Sequence, residues 1–204
     1  MKAVLISIQP KWCEKIASGE KTIEVRKTKP NLQTPFKVYI YATWNGSKKE
    51  ILVKQDGLLY CEDWRRANGL RRASGKVIGE FVCDRVDERW FYISTDGVPI
   101  TDIEKDFEAL CCLKRKEIIN YALQPNKAVK VHNGTMFIYG WHISDLKIYD
   151  KPKELSEFRK PCPYTDGTYC IENKCEYYGD WTGVCRCWVE RPPQSWCYVE
   201  VQNG

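Results

Sequence analysis

The segment Gly19-Glu20-Lys21-Thr22-Ile23-Glu24-Val25-Arg26 constrains this chain more than any other. It follows an apolar run, AVLISIQ from Ala3 to Gln9, which reads as a short buried strand. Pro10 comes next, suited to the first position of a helix because its missing N–H would be unpaired there anyway. Trp12, Cys13, Ile16 and Ala17 then share one helical face, and Ser18-Gly19 ends the helix. A second strand starts at about Lys21 and runs to Arg26. By two-residue alternation Ile23 and Val25 point to the core, while Thr22, Glu24 and Arg26 share the other face. Lys21 stands where the strand begins, so a lysine, a glutamate and an arginine gather at one rim. Taken alone, such a trio reads as a solvated strand face with a local salt bridge, which stabilises little.

The rest of the chain is richer in strands than in helices. Phe36, Val38, Ile40 and Ala42 alternate with Lys37, Tyr39, Tyr41 and Thr43, which is strand periodicity. Ile51 to Ala73 lacks a clear period and is read with a short helix around Cys61 to Ala67. Lys76 to Val86 predicts a strand, with Arg89 to Ile93 as its partner. Ile103 to Cys112 and Lys114 to Leu123 predict helices, the second stopped by Pro125. Met136 to Tyr149 reads as strand, ended by Lys151-Pro152, and Trp196 to Val201 as a last strand. The fold class expected is α+β and mainly β: a twisted mixed barrel with peripheral helices.

The pattern Gly-x-Lys-x-x-Glu-x-Arg, after a Pro-initiated helix and a first strand, resembles the signature of the ASCH superfamily. Gln9-Pro10-Lys11-Trp12, Val77-Ile78-Gly79-Glu80-Phe81, Tyr139-Gly140-Trp141-His142-Ile143-Ser144-Asp145-Leu146 and Arg191-Pro192-Pro193-Gln194-Ser195-Trp196 look like ASCH proteins too, particularly those of bacteria and their prophages. The resemblance covers residues 1–158 and the final strand. It implies a PUA-like barrel and a cleft lined by the Lys, Glu and Arg that binds RNA or a modified nucleotide. Some members are similar to amidohydrolases acting on acylated cytidine, others to ribonucleases. Lys21 falls on the shared lysine. Where the amidohydrolase-like members carry a threonine nucleophile, this chain has Glu24, and Thr22 does not occupy the matching position. As a binder, Arg26 offers a planar fork, Lys21 a point charge and Glu24 an acceptor for an exocyclic amine. As a hydrolase, Lys21 and Glu24 would be the catalytic groups, Glu24 acting as a base towards water.

Arg65, Arg66, Arg71, Arg72 and Lys76 lie between Trp64 and Gly79 with no acid among them, interspersed with small residues. That reads as a flexible basic loop able to track a nucleic-acid backbone, or equally as a solvated loop balanced by Asp102, Glu104, Asp106 and Glu108. Trp44, Trp64 and Trp196 could stack on a base. His132 and His142 suggest no catalytic pair.

Residues 159–193 form a Cys-rich insert between the barrel and a last strand in residues 194–204. The five cysteines Cys162, Cys170, Cys175, Cys185 and Cys187 are close enough in sequence to hold a structural zinc ion, although small apolar packing is the alternative. The first ligand set expected is Cys162, Cys170, Cys175 and Cys185, with Cys187 as substitute. No secretory signal is recognised, so a cytoplasmic location is expected, with reduced thiols among the 11 cysteines. A net charge of +5 leans towards an anionic partner. No P-loop or dinucleotide-binding motif is present, and no organic cofactor is expected. Three functions compete: RNA or nucleotide recognition in the cleft, hydrolysis there, and a protein-interaction module built on the insert.

Overall fold

The computed structural model describes residues 1–44, 50–67, 69–124, 130–162 and 187–201. Strand β1 (Lys2–Ile8) buries every residue after Lys2. Helix α1 (Pro10–Ala17) starts on Pro10, and its first turn is tied to the Gln9 carbonyl by the Trp12 and Cys13 N–H groups. It ends at Ser18, whose N–H reaches the Glu14 carbonyl, and at Gly19, whose φ of +78° suits a residue without a Cβ. The chain thereby turns into β2 (Ile23–Arg26).

β3 (Phe36–Ala42) runs parallel to β1 and is the middle strand of a five-stranded sheet. Both of its faces are buried. Val38 and Ile40 pack with Ile6, Ile16, Phe81 and Trp141, whereas Tyr39 and Tyr41 belong to a second cluster with Leu5, Phe158 and Val189. The Tyr39 and Phe158 rings meet edge to face, centroids 4.9 Å apart. The alternation of β3 thus separates two apolar environments rather than core from solvent.

Residues 51–73 depart from the sequence reading. There is no helix around Cys61 to Ala67. β4 (Glu50–Gln55) and β5 (Leu58–Asp63) form a hairpin, extended on the other edge of β4 by β6 (Arg71–Arg72). Asp56 and Gly57 turn the hairpin with φ of 50° and 82°. An Asp-Gly pair is a strong signal for such a turn, because both central residues need positive φ. Arg71 and Arg72 therefore sit on a strand, not in a flexible loop.

β7 (Val77–Cys83) pairs with β3 on one side and with β12 (Ser144–Lys153) on the other, so β8 (Val86–Ile93) cannot be its partner as expected. β8 passes into a second sheet, between β9 (Pro99–Thr101) and β11 (Thr135–His142). Helices α2 (Lys105–Cys111) and α3 (Arg115–Leu123) cover that sheet: Phe107, Ile118 and Ile119 pack on Ile23, Val25, Phe91 and Ile138. β10 (Lys130–His132) leads into β11 (Thr135–His142). The stretch read as a single strand from Met136 is two: the chain leaves the second sheet at Ile143 and joins the first as β12 (Ser144–Lys153). β12 runs through Pro152, which an edge strand tolerates. β13 (Trp196–Glu200) closes the other edge against β1.

The fold is α+β and mainly β, with twisted sheets that exchange strands at β7–β8 and β11–β12 but do not close into a barrel among the described residues. None of the described helices is long and apolar enough to cross a membrane.

Candidate functional site

β2 lies between the two main apolar clusters. Among the described residues it pairs only with β11, placing Glu24 opposite Trp141 and Val25 opposite Gly140. Ile23 and Val25 fill the cluster under α2 and α3, as the alternation predicts, and the even residues turn the other way. There they do not meet bulk solvent. Lys21, Glu24 and Arg26 are 2%, 6% and 7% exposed. This corrects the expectation of a solvated charged face.

The trio is one ion-paired unit. Glu24 Oε1 accepts from Arg26 Nη2 at 2.9 Å, and Glu24 Oε2 lies 3.4 Å from Lys21 Nζ. Lys21 also donates to the Cys111 carbonyl at 2.7 Å and sits 5.3 Å from the Trp12 ring centroid. Arg26 donates to the Ser7 carbonyl at 2.7 Å and, more distantly, to Ser195 Oγ at 3.4 Å. Elements far apart in sequence therefore hold the charges: the end of α2, the end of β1 and the approach to β13. Buried charges persist only with such multiple partners, since each loses its hydration.

These three groups form part of the floor of a cleft of about 990 Å³. Its walls carry polar and aromatic side chains from separate elements: Gln9, Trp12, Lys27, Tyr41, Trp44, Tyr121, Gln194 and Ser195. Lys27 donates to the Gln124 carbonyl at 2.6 Å and lies 5.4 Å from the Tyr121 ring, and burial pushes its pKa down. Burial pushes the Tyr121 hydroxyl up, while the neighbouring Arg26 charge pulls it down and Glu24 raises it. Beneath the floor, Cys13 is fully buried and its thiol is pushed well up, first by burial and then by Glu24. It is inert packing rather than a nucleophile.

The structure separates the remaining expected site residues. Trp44 reaches the cleft and is half exposed. Trp196 does not line it: its indole N–H donates to Thr28 Oγ1 at 3.0 Å, and its ring packs on Trp141 and Tyr198. Arg65, Arg66, Arg71 and Arg72 lie outside the cleft, exposed on and beside the β4–β6 sheet. Cys162 is half-buried and Cys187 buried, whereas Cys170, Cys175 and Cys185 lie outside the described residues. Among the described residues no group of His, Cys, Asp or Glu could hold a metal ion.

Sequence reasoning missed Lys27, Tyr121, Gln194 and Ser195. Tyr121 and Gln124 are signalled only by their place on a helix whose docking is tertiary. Gln194-Ser195 stood in the chain only as part of a family-like tail. Trp12 was placed on the apolar helix face, and it does flank the core while also lining the cleft.

The family model of the ASCH domain matches residues 6–188. The chain belongs to the ASCH family. Among solved structures, the ASCH protein of Zymomonas mobilis aligns at 16% identity over 97% of this chain and 87% of its own, with a TM-score of 0.47. Two single-substitution variants of that protein align similarly: 16% identity, 98% and 91% coverage and TM-score 0.49 for one, 16%, 97% and 88% and 0.48 for the other. No curated protein matches the chain.

Proposed function

We propose that this ASCH domain recognises one nucleotide unit of RNA, or a modified nucleotide, in the cleft over Lys21, Glu24 and Arg26. The observation that carries the reading is the state of Glu24. Its two oxygens are held by two different cations at the floor of a large polar cleft. A carboxylate so engaged is a fixed acceptor, oriented by two cations at a site where burial makes its ion pairs costly to lose. The size of the cleft suits a nucleotide-sized ligand. Trp12, Tyr121 and Trp44 offer ring faces for a base, and Gln9, Gln194 and Ser195 offer donors and acceptors for its edge. Lys27 adds a cation for a phosphate. A cytoplasmic setting fits this ligand.

Hydrolysis of a modified nucleoside or of RNA is the competing outcome, and the test must be able to return it. Purified protein is titrated by calorimetry with the four ribonucleoside monophosphates and a panel of modified nucleosides, N4-acylated cytidine included. The same mixtures are then searched for product by mass spectrometry. Saturable binding without product, weakened severalfold in Tyr121→Phe and in Gln194→Ala, is expected. Product formation that disappears in Lys21→Ala would replace recognition by catalysis. An absence of binding across the panel would remove the cleft as a nucleotide site.

A further inference from the structure

The β4–β6 sheet carries a second concavity, of about 670 Å³, that the cleft reading does not use. Its construction is amphipathic. Ile51, Ala67 and Leu70 belong to a small apolar cluster of their own, with Val53 beneath. Trp64, 55% exposed, stands beside that floor with the Arg65 guanidinium 5.9 Å from its ring centroid. Arg72 and Lys76 complete the lining. Lys76 is paired with Glu154. Arg65 and Arg72 make no ion pair among the described residues, nor do their neighbours Arg66 and Arg71. An exposed Trp of this kind over an apolar floor offers a stacking face, and unpaired guanidiniums offer forks for phosphate.

The concavity also borders the main cleft. The Arg72 guanidinium lies 4.5 Å from the ring centroid of Trp44, which itself lines the cleft. The backbone fixes this junction: the Gly75 N–H donates to the Ala42 carbonyl at 2.7 Å, and the Ala42 N–H to the Lys76 carbonyl at 2.9 Å. The Trp44–Arg72 pair is thus a shared wall, with a ring face on one side and a cation on the other.

We infer that the β4–β6 concavity is a second nucleic-acid subsite, which takes the base and phosphates flanking the unit held in the cleft, so that the ligand is a single-stranded polynucleotide rather than a free nucleotide. The choice of ligand class rests on the cleft reading; the site itself rests on the exposed Trp64 and the exposed arginines beside it. A base stacks on Trp64, the adjoining phosphates lie against Arg65 and Arg72, and the strand crosses the Trp44–Arg72 wall into the cleft. Stacking faces and phosphates are common to RNA and DNA, so this subsite does not distinguish them.

The experiment measures affinity for UMP, a fluorescein-labelled uridine decamer and the matching deoxythymidine decamer, each over a salt series, for the wild-type protein and for Trp64→Ala and Arg65→Ala/Arg72→Ala. All three side chains are exposed, and unchanged urea melts verify that the variants fold. The wild-type protein is expected to bind the decamer at least tenfold more tightly than UMP. Trp64→Ala is expected to lose about tenfold in decamer affinity. The double variant should lower the log–log salt slope by about 1.4, two single-strand phosphate contacts. RNA and DNA decamers should lose equally in both variants. A decamer that binds no tighter than UMP, or variants that weaken UMP and decamer alike, would overturn the subsite while leaving the cleft in place. Displacement of the decamer by polyglutamate with no dependence on Trp64 would assign the arginines to an acidic protein instead. Decamer binding that needs Trp64 and Arg72 in a protein that ignores UMP would support the subsite and sink the cleft.

Discussion

The cleft floor and the β4–β6 shelf use the same kinds of side chain under opposite conditions. Lys21, Glu24 and Arg26 have side chains 2%, 8% and 9% exposed, and each charge faces at least one opposite charge or carbonyl. Arg65, Arg66, Arg71 and Arg72 are exposed and make no ion pair among the described residues. Burial makes the first set part of the fold. Its charges lose hydration, so they depend on one another, and removing one leaves the rest uncompensated. Exposure makes the second set nearly free of the fold. Those charges keep their water, answer to salt and remain available to an anion. A count of charges in the sequence cannot tell the two apart, yet they differ in almost every measurable consequence.

The largest expected effect breaks the comparison at its centre. Glu24→Ala leaves Lys21 and Arg26 as two buried cations without their shared carboxylate. A loss of about 3–5 kcal/mol in unfolding free energy is expected, read from urea melts followed by circular dichroism. Arg65→Ala and Arg72→Ala should each stay within about 0.5 kcal/mol of wild type in the same melts. Similar losses at both places would mean that the trio is not a structural unit.

A smaller effect should come from behind the floor. Gly140 on β11 faces Val25 on β2, and an added Cβ would lie 2.5 Å from Phe107 Cε2 and 2.9 Å from Ile23 Cγ2. Neither is the end of a flexible chain. Gly140→Ala should therefore push β2 from α2 and cost about 1–3 kcal/mol. Because β2 carries Glu24 and Arg26, nucleotide affinity should fall with it, whereas the shelf arginines should keep their salt-sensitive contribution to decamer binding. A variant as stable as wild type would show that the α2 contact can give way.

Local patterns in the sequence were enough for the part of the site that is local. Pro10 and Gly19 bound the helix, and the alternation from Ile23 to Arg26 sends Ile23 and Val25 one way and Glu24 and Arg26 the other. What surrounds the trio was not legible. Lys21 is held by a carbonyl 90 residues away and Arg26 by a serine 169 residues away, contacts that only the packed sheets create. Burial of the trio is a tertiary fact, and so is the partner of β8, which depends on both edges of β7 being taken. The two-sided burial of Tyr39 and Tyr41 under Phe158 and Val189 is of the same kind. The β4–β5 hairpin is different: Asp56-Gly57 announced it, and the polar residues around it obscured the strands.

Glu80 offers a case between the two regimes and the smallest expected effect. It lies on β7 with its side chain 20% exposed, bound by Tyr149 Oη at 2.6 Å and Lys37 Nζ at 3.0 Å. Burial works to raise its pKa, but the hydrogen bonds from Tyr149 and Lys37 and the Lys37 charge outweigh it and hold the carboxyl below the ordinary range. A carboxyl depressed in the folded state stabilises the protein above its unfolded pKa, and that stabilisation fades as pH falls towards its folded value. Glu80→Gln keeps an acceptor for Tyr149 and removes the charge. Wild type should exceed it by about 0.5–1 kcal/mol at pH 7, a discount for partial exposure. The gap should narrow from about pH 5 downwards as wild-type Glu80 takes its own proton. Urea midpoints measured from pH 7 to pH 3 read this directly. A gap that stays constant to pH 3 would mean that shape rather than charge sets the contribution of Glu80, and that partial exposure already places a carboxylate with the shelf rather than with the floor.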